Sequence, residues 1–258
     1  LSKDWKTNCE EEALLGVSLT GIMDNKYTNG SYDKLPLQDE RDKLPALLNE
    51  LKEITIETNK KVAKQLDINP SAAITCVKPS GTVSQLVDAS SGIHARHSPY
   101  YIRTVRGDKK DPLCEFLVER GIPHGSDLTE PEHTWVFSFP IKTADNAICR
   151  NDKTAIEQLE FWKLYQEHWC EHKPSVTITV KEDEWIDVGA WVFKNFDMIS
   201  GISFLPYSDH SYKQAPYQEC SVVEYSEMLK LMPTEIDWEE LSKYELEDNT
   251  RASQEYAC

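Results

Sequence analysis

Apolar positions recur along this chain with two periods, and the switches between them mark its elements. Leu44, Leu47, Leu51, Ile54, Thr58, Val62 and Leu66 return at three- and four-residue intervals, a helical stripe with Pro45 in its first turn. Asn8 followed by Glu10, Glu11 and Glu12 reads as a helix opening, with Leu14, Val17, Ser18 and Ile22 as its stripe. Gly16, Ser18 and Gly21 are small enough for that helix to pack closely, which places Cys9 in a packed core helix. Thr154 opens another helix, with Ile156, Leu159, Trp162, Tyr165 and Trp169 along one face. Aromatic residues at helical spacing read as core rather than as a stacking platform for bases. Asp111-Pro112 and Gly121 bracket a short helix, residues 184–196 form an amphipathic one, and from Ser221 the pattern turns helical and acidic.

Between the helices lie shorter apolar or alternating runs. Residues 72–77, 100–106, 134–139, 175–180 and 198–205 read as strands, with Pro140 and Pro206 ending two of them. Residues 25–37 contain Asn29-Gly30, Ser31 and Pro36 and read as a loop. Helices alternating with strands in the middle of the chain predict an α/β fold with crossover connections. No fixed-period repeat is visible, and residues 248–257 are polar and expected to be mobile.

The run at 72–77 leads into the most informative stretch. It breaks at Pro79-Ser80-Gly81-Thr82, and a helix-like segment follows from Val83. Pro79 has no N–H to donate to a ladder, and small residues at a helix opening leave backbone N–H groups uncovered. A helix N-terminus with unpaired donors and a charge of about +0.5 is a natural seat for phosphate. On these four residues alone, a plain capping turn and an anion seat both stand.

Composition narrows the partners. With 44 acidic against 28 basic residues the formal charge is −16, which repels the backbone of DNA or RNA and an anionic membrane surface alike. Any phosphate ligand must be held by local geometry against the global field. No apolar run approaches the roughly 20 residues of a spanning helix, and no basic-then-apolar leader is present. The seven cysteines, at 9, 76, 114, 149, 170, 220 and 258, are scattered without a Cys-x-x-Cys pair. That pattern excludes a zinc ribbon and reads as free thiols of a cytoplasmic protein. The chain begins at Leu1 and stops at Cys258, two residues after Tyr256, and is expected to be part of a longer protein.

Other chemistry-bearing groups are weaker. His168 and His172, four apart on the expected helix, could share one face, but a third metal ligand is not evident and a helix-end charge role suits His172 better. His94, Arg96 and His97 follow the loop closely enough to support an anion. Asp209-His210-Ser211 is not a catalytic triad, because triads assemble in space and no nucleophile elbow occurs. No dinucleotide fingerprint or P-loop is found. The loop at 214–217 is open to a functional or a packing role. Cys258 lies on a polar tail, where its thiol is expected to be exposed and able to exchange.

Taken together, several segments resemble ribonucleotide reductases, and most of all the monomeric, adenosylcobalamin-dependent class that acts on ribonucleoside triphosphates. They are 8–21 (NCEEEALLGVSLTG), the loop at Pro79–Thr82, 91–94 (SGIH), 173–178 (KPSVTI), 199–206 (ISGISFLP) and 214–217 (QAPY). The resemblance implies a ten-stranded α/β barrel threaded by a finger loop, with residues 1–247 as its C-terminal portion and 248–258 as a truncated redox tail. It makes Ser80, Gly81, Thr82, Val83 and Ser84 the substrate-phosphate loop and leaves Cys76, beside it, as a buried strand thiol.

The implied chemistry is a thiyl radical on the finger loop, generated with adenosylcobalamin, that leads to replacement of the ribose 2′ hydroxyl by hydrogen. A cysteine pair supplies the electrons and a tail pair re-reduces it, drawing on a thioredoxin-like reductant. Cys258 matches the first tail cysteine. The finger-loop cysteine, the reducible pair and the regulatory nucleotide sites have no counterpart here, so the chain alone is expected to be inactive. A glycyl-radical reductase would need a glycine-radical motif that the tail lacks. A non-enzymatic nucleotide-binding module using the same seat stays open.

Overall fold

The computed structural model describes residues 2–30, 43–208 and 212–245. In chain order its elements begin with α1 (Lys3–Glu12), β1 (Val17–Ser18), α2 (Lys43–Leu66), β2 (Thr75–Cys76) and α3 (Val83–Leu86). There follow β3 (Tyr100–Asp108), α4 (Pro112–Glu119), β4 (His124–Ser126), β5 (Thr134–Lys142) and α5 (Ala155–His168). The last are β6 (Thr177–Val180), α6 (Trp185–Lys194), β7 (Ser203–Pro206), β8 (Tyr217–Glu219) and α7 (Val222–Leu231). The chain divides into two units, Leu1–Arg96 with Ala144–Ser208 and His97–Thr143 with Asp209–Cys258.

The first unit has the expected α/β character. β1 pairs parallel with β2 after the α2 crossover, and β6 pairs parallel with β7 after α6. A parallel bridge between Val77 and Pro174 joins the two pairs. α5 anchors the core with the predicted aromatic stripe: Leu159, Trp162, Tyr165 and Trp169 are buried with Leu48, Val77, Ile178 and Val180. Each polar aromatic tip finds a carbonyl. Trp162 Nε1 donates to Pro174 O at 3.0 Å, Trp169 Nε1 to Cys76 O at 2.8 Å and the Tyr165 hydroxyl to Thr28 O at 2.8 Å. Thr154 and Glu157 form a capping box at the start of α5.

Two expectations in this unit are corrected. The N-terminal helix is capped by Ser2, contains Asn8 in its interior and ends at Ala13, whose φ of 43° is left-handed. Leu14 and Val17 therefore lie beyond it and are exposed, as is Cys9. Strand pairing outcompetes the helical stripe there, because Val17 N donates to Ile74 O at 3.0 Å and Leu19 N to Cys76 O at 3.4 Å. The helix after the Pro79 break is a single turn of 4 residues.

The second unit is an antiparallel sheet of order β4-β5-β3-β8. Cys114, Phe116 and Leu117 of α4 are buried with Ile122 and Phe137. Asp111 caps α4, and Gly121, with φ of +79°, follows its C-terminal cap, as the start and stop signals predict. Strand β5 runs through Pro140 rather than ending before it. Ser138 N donates to Pro123 O at 2.8 Å, on the β4 side. By the two-residue alternation, the nitrogen of Pro140 faces that same side, beyond the end of β4, where no donor is required.

Asp127 is buried in this unit. It accepts from the backbone N–H groups of Thr129 at 2.7 Å and Glu130 at 3.0 Å, and from Arg106 Nε at 2.7 Å. The backbone donors first, and then Arg106, hold its carboxyl below the ordinary value. A lowered folded value means that its contribution is complete above the unfolded pKa, about 4, and is lost as pH falls through the folded value. Asp127→Asn should flatten the acid limb of the stability–pH curve measured by denaturant unfolding; superimposable acid limbs would contradict this.

Candidate functional site

The 79–84 loop is built by hydrogen bonds that come mostly from far along the chain. Ser80 N donates to Ser91 Oγ at 3.0 Å. Gly92 N lies 3.0 Å from Ser80 Oγ and 3.1 Å from Thr20 Oγ1, and the two hydroxyl oxygens are 2.6 Å apart. Thr20 Oγ1 donates to Ser90 O at 3.0 Å, so the proton between the hydroxyls belongs to Ser80. Ser84 closes the turn by giving both its N–H, at 2.8 Å, and its hydroxyl to Ser80 O. The hydroxyls of Ser80 and Ser84 are thus engaged inside the loop.

What remains faces outward. Among the described residues, the backbone N–H groups of Gly81, Thr82 and Val83 reach no acceptor, and Thr82 makes no capping bond with its side chain. All three residues are exposed. Uncommitted N–H groups on successive residues are donors of the kind that bind anions. A one-turn helix aligns too few peptides for a macrodipole, so these donors replace the helix-terminus field expected from sequence.

The two glycines of the region differ in kind. A Cβ on Gly81 would meet nothing within 4 Å, so the fold does not require glycine there, and the bare backbone is open to a ligand. Gly92 has φ of +56°, and a Cβ on it would stand 2.9 Å from Lys78 O. Close contact of 92 with the loop entrance is what sets the Ser80–Ser91 pairing.

Beneath the loop lies a buried ion pair. Arg96 places Nε 2.9 Å from Asp24 Oδ1 and Nη2 2.9 Å from Oδ2, and Ser90 N donates to Oδ2 at 2.6 Å. Arg96 Nη2 also reaches Asp88 O at 2.7 Å. Arg96 is thus committed to Asp24 and holds the 88–92 segment through Asp88 O. His94 bonds Ser91 O through Nδ1 at 3.0 Å and accepts from Thr177 N through Nε2 at 3.1 Å. His97 belongs to the second unit, stacked on Tyr217 with ring centroids 5.6 Å apart.

Thr20 and Asp24 carry no local signal of a site role in the sequence, though both lie in or beside the 8–21 segment that resembles the reductases. Of the remaining candidates, His172 and the 214–217 loop make packing contacts. α5 ends at His168, so His172 is not on it; its Nε2 sits 2.9 Å from Leu15 O and 2.8 Å from Ala73 O. No group of three metal-ligating side chains occurs among the described residues. In the second unit the 214–217 loop lies on β3, with Thr104 N donating to Pro216 O at 3.0 Å and Thr104 Oγ1 to Ala215 O at 2.8 Å. Cys258 and Asp209-His210-Ser211 fall outside the described residues.

Cys76 is fully buried, and burial pushes its thiol up against the opposing charge of Lys78. Burial likewise raises Cys114 to about 11 and Cys170 to about 12. Such thiols carry negligible thiolate near neutrality. Iodoacetamide on the native chain at pH 8 should label exposed Cys9 and spare Cys76, Cys114 and Cys170 until denaturant is added; peptide mass spectrometry reads the order, and native labelling of Cys170 would contradict it.

No family model matches the chain. A probable adenosylcobalamin-dependent ribonucleoside-triphosphate reductase of Dictyostelium discoideum is 32% identical over 240 residues, covering 90% of this chain and 30% of the relative. The Lactobacillus gasseri enzyme of that name is 29% identical over 246 residues, covering 86% of this chain and 33% of its own length. This chain is similar to adenosylcobalamin-dependent ribonucleoside-triphosphate reductases. The Euglena gracilis reductase is 28% identical over 224 residues, with 86% of this chain and 29% of the reductase covered. A solved B-12 dependent (class II) ribonucleotide reductase superposes with a TM-score of 0.76 at 23% identity, over 93% of this chain and 35% of that one. The fold is that of part of this reductase type, as the sequence resemblance implies. The chain spans about one third of the length of the reductases that it matches.

Proposed function

We propose that this chain is the part of a ribonucleoside-triphosphate reductase that holds the substrate's phosphates. The carrying observation is the row of uncommitted N–H groups at Gly81, Thr82 and Val83, in the segment that resembles the reductase phosphate loop. Neutral backbone donors suit a protein of net charge −16, because they bind through hydrogen bonds whose geometry is paid for in advance by the Ser80, Ser91 and Thr20 network. Ser80 and Ser84 act as braces, while Thr82 adds a hydroxyl. In the whole enzyme this seat would orient a ribonucleoside triphosphate for conversion to the 2′-deoxyribonucleotide.

The radical and redox steps are not assigned to the buried thiols of Cys76, Cys114 and Cys170, where burial disfavours the thiolate. Cys258 keeps the proposed role of first tail cysteine, passing electrons from a thioredoxin-like reductant. A monomeric, cytoplasmic enzyme is part of the same reading; no helix among the described residues is long and apolar enough to cross a membrane. Adenosylcobalamin, named for the relatives, is proposed as the cofactor of the whole enzyme. Among the described residues, the cavity lined by Ile93, His94, Gln158, Phe161 and Thr177 does not fit it: at about 110 Å³ it lies below the roughly 300–1,000 Å³ of drug-sized sites. No step is routed through it.

Gly81→Val tests the loop. The substitution meets open space in the protein, so unfolding should change by no more than about 0.5 kcal/mol. Nucleoside triphosphate affinity, read by calorimetry on this chain, should fall by at least about tenfold because the valine covers the donors. Unchanged affinity would count against the assignment.

A further inference from the structure

We infer that His94 is a positioning residue for the phosphate loop, holding Ser91 to strand β6 as the neutral Nδ1–H tautomer. The inference deepens the reading of 80–84 as a phosphate seat and rests on it.

It comes from the open side of β6. Alternate residues of a strand present their backbone groups to opposite sides. Toward β7, Ser203 N donates to Val176 O at 3.3 Å and Tyr207 N to Val180 O at 2.8 Å. Toward β2, Ser175 N donates to Val77 O at 2.8 Å, but the chain then leaves the sheet at Lys78-Pro79. Among the described residues, Thr177 and Thr179 therefore face a side with no strand, half-buried, where unpaired backbone groups are costly.

Two side chains continue the ladder in place of a strand. Gln158 pairs with both backbone groups of Thr179, its Oε1 accepting from N and its Nε2 donating to O, each at 3.3 Å. His94 serves Thr177, with Nε2 3.1 Å from the backbone nitrogen. A backbone N–H can only donate, so Nε2 must offer its lone pair and the ring proton must sit on Nδ1. Nδ1 then donates to Ser91 O at 3.0 Å, and Ser91 Oγ accepts the N–H of Ser80 at 3.0 Å. A continuous relay runs from β6 through His94 and Ser91 to the start of the loop. Only an imidazole with its proton on Nδ1 spans both ends.

Two amide variants cut this relay at different places. His94→Asn can keep a donor near Nδ1 for Ser91 and gives up the contact with Thr177. His94→Gln can keep an acceptor near Nε2 for Thr177 and gives up Ser91. Each loses one hydrogen bond, so urea midpoints should drop by similar amounts. Inorganic tripolyphosphate binding to the 258-residue chain should weaken by about tenfold in His94→Gln and by less than about threefold in His94→Asn. A purely structural histidine predicts affinities that track the midpoints, and equal losses, or a larger loss in His94→Asn, would overturn the proposal. Should either variant fail to fold, long-range ¹⁵N–¹H spectra of the wild-type imidazole decide: a protonated Nδ1 supports it and a protonated Nε2 overturns it. Absence of tripolyphosphate binding by the wild type, with a protonated Nδ1, would instead overturn the phosphate-seat reading.

Discussion

Asp24→Ala is expected to lower the unfolding free energy by about 3–5 kcal/mol, because it removes the doubly hydrogen-bonded carboxylate partner of a buried guanidinium. The Arg96 side chain is 5% exposed and that of Asp24 14% exposed, and two short hydrogen bonds run between them. The other carboxylate near Arg96, Asp88, is 77% exposed and 3.5 Å away, which leaves it screened and weak. The variant also removes the acceptor of Ser90 N, on the segment that carries Ser91. Stability of a domain is about 5–15 kcal/mol, so the loss is a large fraction of the whole. Denaturant melts of the variant and of Asp24→Leu/Arg96→Met separate the causes. The double variant removes both charges and should regain most of the stability. A loss below about 1 kcal/mol in Asp24→Ala would show that the pair does not hold this segment.

Gly92→Ala is expected to cost about 2–4 kcal/mol and to lose triphosphate binding with it. Its φ of +56° disfavours any L side chain, and the new Cβ would sit 2.9 Å from the backbone oxygen of Lys78, so that one of the two must shift. Relief requires 92 to move away from Lys78, and that movement pulls the Gly92 N–H from Thr20 and Ser80. Thermal melts and calorimetry on the same samples should show both losses. The contrast with Gly81→Val is the informative part: Gly92 is required by the fold, and Gly81 is proposed to serve what docks on it. A Gly92→Ala chain that melts like the wild type would contradict this division.

Local signals were legible in the sequence where one element settles the outcome. The Thr154 and Ser221 starts, the Asp111 cap and the α5 stripe follow rules that act within a few residues, and they hold. The Pro79 break and the small residues after it likewise mark the loop. The donors that brace it do not read out locally, because Thr20 meets Ser80 across 60 residues and Asp24 meets Arg96 across 72. Periodicity failed at 13–22 for a related reason: a left-handed Ala13 and pairing with residues 74–76 decide that segment, and neither is encoded in spacing. Pro140 misled because a strand tolerates proline wherever its neighbour has already ended, which is a property of β4. The role of His94 needed the sheet, since only there does the missing neighbour of β6 become visible.

The most direct test follows the loop amides themselves. A ¹⁵N–¹H titration of this chain with a ribonucleoside triphosphate should move the Gly81, Thr82 and Val83 cross-peaks together and saturably. Inorganic tripolyphosphate should reproduce the shifts, since the phosphates are what these donors are proposed to hold. Saturable binding that leaves those three amides unmoved while shifting peaks elsewhere would contradict the account.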